Sequence, residues 1–115
     1  MKRLLLIALL VLFTGTAQAA SLTFTWDPPT GTPPTGYKLY YGKTTGNYTA
    51  NVDMGNVTTY TLANLDVSAG GTWYFAATAY MGPVDSKRES AYSNEVSVTF
   101  PVKPSNFKIT ITVSP

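Results

Sequence analysis

Trp73-Tyr74-Phe75-Ala76-Ala77-Thr78-Ala79-Tyr80 sorts into two sets by alternation. Trp73, Phe75, Ala77 and Ala79 fall on one side, and Tyr74, Ala76, Thr78 and Tyr80 on the other. A period of two is that of a strand, since a helix repeats its faces every three to four residues. Aromatic rings set beside alanines suit a pleat that is covered on its inner face. The same alternation recurs on both sides of this run. Leu22, Phe24 and Trp26 share one face of a first strand, and Tyr37, Leu39 and Tyr41 one face of a second, which Gly42 closes. Val96, Val98 and Phe100 point inward from a strand spanning 92–100.

Between these lie weaker signals. Tyr48, Ala50 and Val52 suggest a short strand, with Met54-Gly55-Asn56 turning the chain after it. Residues 57–62 read as a strand with Tyr60 and Leu62 inward and Leu65 just beyond. Proline pairs at Pro28-Pro29 and Pro33-Pro34 remove backbone donors and force a loop there. Asp66 to Gly71 and Met81 to Ala91 are the other long connections. Six short strands punctuated by Gly, Pro, Asn and Asp, with no helical periodicity, predict an all-β sandwich.

The chain has 115 residues, which is enough for one domain. Its first nineteen read as a signal peptide: Lys2 and Arg3, then an apolar run from Leu4 to Phe13, then Ala17-Gln18-Ala19 as the cleavage site. The domain is expected over 20–100 and a tail over 101–115. Eight basic residues face six acidic ones, and two of the basic ones leave with the signal. The exported form is therefore neutral and has no basic footprint for nucleic acid. The expected location is periplasmic, secreted or surface-associated, with membrane contact only through an uncleaved signal segment. The chain has no Cys and no His. That excludes a disulfide framework, Cys–His zinc sites and imidazole-based catalysis. No cofactor or metal is expected.

These features together resemble the fibronectin type III family over about residues 21 to 100. Leu22-Thr23-Phe24-Thr25-Trp26-Asp27-Pro28-Pro29 is similar to the end of its B strand, and Gly36-Tyr37-Lys38-Leu39-Tyr40-Tyr41-Gly42 to its C strand. Tyr60-Thr61-Leu62-Ala63-Asn64-Leu65 resembles the E strand, Trp73 to Tyr80 the F strand, and Ser93-Asn94-Glu95-Val96-Ser97-Val98 the G strand of many bacterial members. The resemblance implies an immunoglobulin-like sandwich of fibronectin type III type, in a small exported protein of a bacterium or its phage. Two departures stand out. The corner position that the family fills with Tyr falls to Trp73, and no strand A precedes Leu22 in the exported chain. The expected core centres on Trp26, packed by Tyr37, Leu39, Phe75 and Val96, with Leu62, Leu65, Trp73 and Val98 around it.

The scattered carboxylates predict no catalytic pair, and Asp27 and Asp66 suit turn-capping. Ser86-Lys87 lies on a loop where adjacent side chains diverge, so the chain is expected not to be an enzyme. Asn47-Tyr48-Thr49 and Asn56-Val57-Thr58 match the glycan-acceptor pattern, which the bacterial style of the signal discounts. Tyr40, Tyr74 and Tyr80 fall on outward faces, where rings suit sugars or protein partners and equally stabilise sheets. The F–G loop carries Asp85, Lys87, Arg88 and Glu89, a second candidate binding surface. The expected function is a non-catalytic binding or spacer module for a protein or glycan partner. The alternative is a structural subunit of a surface or virion assembly. That alternative comes from the tail, where Phe107, Ile109, Ile111 and Val113 alternate with Lys108, Thr110 and Thr112. An extra strand is expected over 106–113, covering the edge of the first strand in its own domain. A monomer is favoured, with exchange between copies as the second option.

Overall fold

A computed structural model describes residues 18–83 and 88–114. Six strands run in the order β1 (Ala19–Thr25), β2 (Gly36–Gly42), β3 (Ala50–Gly55), β4 (Thr59–Asp66), β5 (Gly71–Tyr80) and β6 (Val96–Phe100). They form two antiparallel sheets, β1-β4 and β3-β2-β5-β6. The sheets face each other, and Tyr37, Leu39, Met54, Leu62, Leu65, Val67 and Phe75 fill the space between them. This is the expected all-β sandwich. Residues 1–17, which hold most of the expected signal, lie outside the described residues, as do Asp85 and Lys87. Gln18 and Ala19 extend the first ladder: the Gln18 carbonyl accepts from Val67 N–H at 2.9 Å, and Ala19 pairs with Asp66.

The centre of the core is Phe75, only 1% exposed, with Phe24 across the sandwich at 5.0 Å and Tyr41 stacked at 5.9 Å. Trp26 packs edge-on against Tyr37 at 5.3 Å, yet it is only partly buried. Trp73 and Val98 are also partly buried around the cluster. Val96 is a correction: at 44% exposure it is not a core residue. Its side faces inward in register, but no described strand lies over it. Met54 is the opposite case. It was read as part of a turn, but β3 runs on to Gly55 and buries Met54.

Before β6 the chain does not form a regular strand, yet it stays bound to β5. Ser90 N–H donates to the Ala79 carbonyl, and the Ser90 hydroxyl accepts from Ala79 N–H at 2.9 Å. Ser93 repeats the arrangement with Ala77. A serine hydroxyl thus stands where a strand carbonyl would accept. This lets three residues match two on β5, and the strand expected over 92–100 shortens to Val96–Phe100.

At the turn between β4 and β5, where the resemblance implies a tyrosine corner, a lysine holds the backbone. Lys43 donates to the Gly70 carbonyl at 2.8 Å while its ammonium lies 4.9 Å from the Trp73 ring centre. Asp66 caps the same turn, accepting from Ser68 N–H at 3.0 Å, as its position after a strand suggested.

The tail departs from expectation. Residues 101–114 join no ladder, so the extra strand over 106–113 does not form within this chain. Phe107, Ile109, Ile111 and Val113 are 90, 82, 77 and 82% exposed. Local geometry gives the reason. A Cβ on Gly70 would lie 2.8 Å from the Pro101 carbonyl oxygen and from Val102 Cγ2. The chain leaving β6 therefore runs against the β4–β5 turn instead of crossing to β1. Pro101 and Pro104 further oppose a ladder there.

Candidate functional site

Two surfaces meet the description of a site: the outer face of the larger sheet, and the side of the sandwich beside β1.

On the outer face, Tyr40 on β2 meets Tyr92 at 5.1 Å and Tyr48 at 6.4 Å, and Tyr48 meets Tyr92 at 5.1 Å. Two carboxylates sit beneath these rings. Glu89 accepts from the hydroxyls of Tyr40 and Thr78, the latter at 2.6 Å, and lies 3.9 Å from the Lys38 ammonium. Burial pushes the Glu89 carboxyl up, but those two hydroxyls and the nearby ammonium outweigh it, and its pKa lies below the usual glutamate value. Glu95 holds the β2–β3 connection, accepting from Thr45 at 2.6 Å, Tyr48 at 2.5 Å and Gly46 N–H at 2.9 Å. These bonds hold its pKa down, while desolvation and the Glu95 bond push the Tyr48 hydroxyl up to about 12.

The candidate residues therefore separate. Tyr40 and Glu89 come together, but as members of a packed network with their polar atoms engaged. Tyr80 is a correction: it is 5% exposed and unavailable to a ligand. Its ring lies across Gly36, which pairs with it in the ladder, and its hydroxyl donates to Asp53 at 2.9 Å. Tyr74 is half-buried, opposite Ser97 and Gly42 and away from the Tyr40 cluster. Arg88 follows the segment outside the described residues, and its carbonyl accepts from Met81 N–H at 3.0 Å. Tyr48 and Tyr92 are the members of the cluster that sequence reading missed. Their contact joins a connection after β2 to a connection before β6, a distance alternation cannot span.

The network makes a pH prediction. A carboxylate whose folded pKa is depressed contributes stability that is present above its unfolded value, near 4.5, and is lost as pH falls through the folded value. Glu89→Gln is expected to cost about 1 kcal/mol at pH 7, with the difference from the parent narrowing as pH falls below the ordinary glutamate value and through the lower folded one. Urea denaturation at pH 7 and pH 3 measures both. An equal difference at the two pH values would remove the charged form of Glu89 from the account.

The second surface lies at the side of the sandwich. Its backbone boundary is β1, which pairs with β4 on one edge and with no described strand on the other. All four inward residues along this strand, Ala20, Leu22, Phe24 and Trp26, are only partly buried. A cleft of about 600 Å³ opens there, with Phe24 from β1 and Trp26 just after it, Phe75 and Ala77 from β5, and Val96 from β6 among its lining residues. It is largely apolar. Trp26 adds an indole N–H that is buried without a hydrogen-bond partner among the described residues. The cleft has an apolar floor and opens beside the end of β1 at Phe24 and Thr25, whose outer edge pairs with no described strand. Such a site suits an extended peptide, whose main chain extends the ladder while alternate side chains enter the cleft.

Comparison with known proteins adds one finding. The family model described as fibronectin type III domain matches residues 10–96. Neither the curated proteins nor the solved structures include a significant match.

Proposed function

The chain belongs to the fibronectin type III family, and on that premise we propose that it is an exported, non-catalytic binding module whose ligand is an extended strand of protein. The observation that carries this reading is one side of the sandwich, where no described strand pairs with the outer edge of β1 and an apolar cleft of about 600 Å³ opens. A sandwich that ended its evolution as a rigid spacer gains nothing from four half-buried inward residues and an unpaired edge, both of which invite strand addition. Export follows from the arrangement of Lys2, Arg3, the apolar run and Ala17-Gln18-Ala19.

A glycan on the outer face is supported less well. Tyr40 and Tyr48 direct their hydroxyls to Glu89 and Glu95, and their rings pack on Tyr92, which alone among the three is largely exposed.

Two full-length variants separate the surfaces. Val96→Arg places a cation in the cleft from a residue exposed enough to leave the fold intact, and Tyr92→Ser removes the exposed outer ring. Seven-residue peptides with alternating apolar and Thr positions, screened as a displayed library, are expected to bind the parent and Tyr92→Ser and to lose at least tenfold in affinity for Val96→Arg. Equal binding by all three proteins, or loss only with Tyr92→Ser, overturns the strand-binding reading.

A further inference from the structure

The tail has the properties that the cleft requires. We propose that the strand completing the sandwich is residues 107–113 of a second copy of this chain, so that copies join into a linear assembly by strand exchange. This rests on the strand-binding reading of the cleft and names its occupant.

Length and pattern agree first. The tail segment has seven residues, as does β1. Its apolar residues fall at every second position, and a strand in the cleft would turn Phe107, Ile109, Ile111 and Val113 inward while Lys108, Thr110 and Thr112 face water. β-Branched residues dominate it, as in good strand formers. All four apolar side chains are exposed in the single chain, and Phe24 and Trp26 beside the cleft are only partly buried. Each surface is incomplete in the way the other is.

Direction decides between the chain's own tail and that of a neighbour. Phe100 at the end of β6 pairs with Gly71, and Ala20 near the start of β1 pairs with Leu65, so β6 ends at the pole where β1 begins. A tail returning along its own β1 would run parallel to it. Every ladder among the described residues is antiparallel, and antiparallel pairing is slightly the more stable. A neighbouring copy supplies that direction without a reversal. Its tail enters at the pole of Asp27 and runs toward Ala19. The donor then stands end to end with the acceptor, its own cleft still open at the far side. Each copy offers one tail and accepts one. The contact joins different surfaces and does not close on itself, which produces an open chain.

The test uses the full secreted protein and a tail variant, Ile109→Asp with Ile111→Asp. Both positions are exposed in the single chain, so the fold is not at risk. Sedimentation velocity over a hundredfold concentration range is expected to show the parent growing through dimer, trimer and longer species, and the variant remaining monomeric with an unchanged melting temperature in dilute solution. A synthetic peptide of residues 106–113 is expected to bind the variant, and to fail with a variant that also carries Val96→Arg. A parent that stays monomeric at all concentrations overturns the second copy as partner, even where the peptide binds and the strand-binding reading survives. Peptide that does not bind, together with a monomeric parent, removes both. Growth that persists in the tail variant overturns the tail as donor, and growth that stops at the dimer overturns the end-to-end arrangement.

Discussion

Phe75→Ala is expected to cost about 3 to 5 kcal/mol, the range for removing a large ring from a packed core. Phe75 is the residue most thoroughly enclosed, with Phe24 from one sheet and Tyr41 from the other against its ring. The ring touches neighbours on both sheets, so the cavity left behind can close only by moving a strand. Domains of this size hold only about 5 to 15 kcal/mol in total, so much of the stability goes with one ring. In thermal unfolding the loss corresponds to a drop of about 15 °C or more. Trp26→Ala is expected to cost clearly less, although it removes more atoms. Trp26 keeps part of its surface in water, whereas Phe75 is almost wholly enclosed, and transfer energy scales with the area removed from water. Denaturation of both variants orders them. A Trp26 variant less stable than the Phe75 variant would return the centre of the core to the tryptophan.

The second large effect comes from adding one methyl group. Gly36→Ala builds a Cβ 2.7 Å from Tyr80 Cζ, with the hydroxyl closer still. The ring cannot swing away freely, because its hydroxyl bonds Asp53 at 2.9 Å and the residue is buried. Overpacking of this kind typically costs about 1 to 3 kcal/mol. The partner is identified by a double-mutant cycle. In a Tyr80→Ala background the same Gly36→Ala change is expected to cost less than about 0.5 kcal/mol, since the colliding ring is gone. An unchanged penalty in that background would mean that the cost arises in the backbone at position 36.

These two residues also mark what alternation can and cannot reveal. The inward set Tyr37, Leu39, Trp73 and Phe75 follows from period two alone, because a strand with one covered face writes that face into every second residue. Leu62 and Leu65 follow in the same way. Val96 is in phase with them, and its exposure has a cause outside its own strand: nothing described lies over it from the smaller sheet. Periodicity states which way a residue faces, not what faces it. Tyr80 shows the converse. It points to the solvent side, but Gly36 on the neighbouring strand leaves a slot that buries it, a fact held by a residue 44 positions away. Ser90 and Ser93 obscured the last strand because their hydroxyls carry the ladder, so the chain need not alternate there.

The candidate sites were legible to different degrees. The tail's amphipathic pattern was visible in the residues, and the outer edge of β1 pairs with no described strand. That the tail would pass Gly70 and leave its own domain was not, since it depends on how closely Pro101 and Val102 approach a glycine in the β4–β5 turn. The outer tyrosines looked like a ligand platform because outward rings are all that alternation shows. Their engagement with Glu89 and Glu95 joins segments about 50 residues apart.

The central claim is that the free edge of β1 is a strand-acceptor site filled by another copy's tail. Amide hydrogen exchange along residues 21–25 of β1 tests it most directly. In an antiparallel strand alternate N–H groups point to opposite edges. One set is bonded to β4 and is expected to be protected at every concentration. The other set is expected to exchange freely in dilute protein and in the Ile109→Asp, Ile111→Asp variant, and to become protected in concentrated parent protein. Outward amides that exchange freely at every concentration, or that are protected equally in the tail variant, would contradict the account.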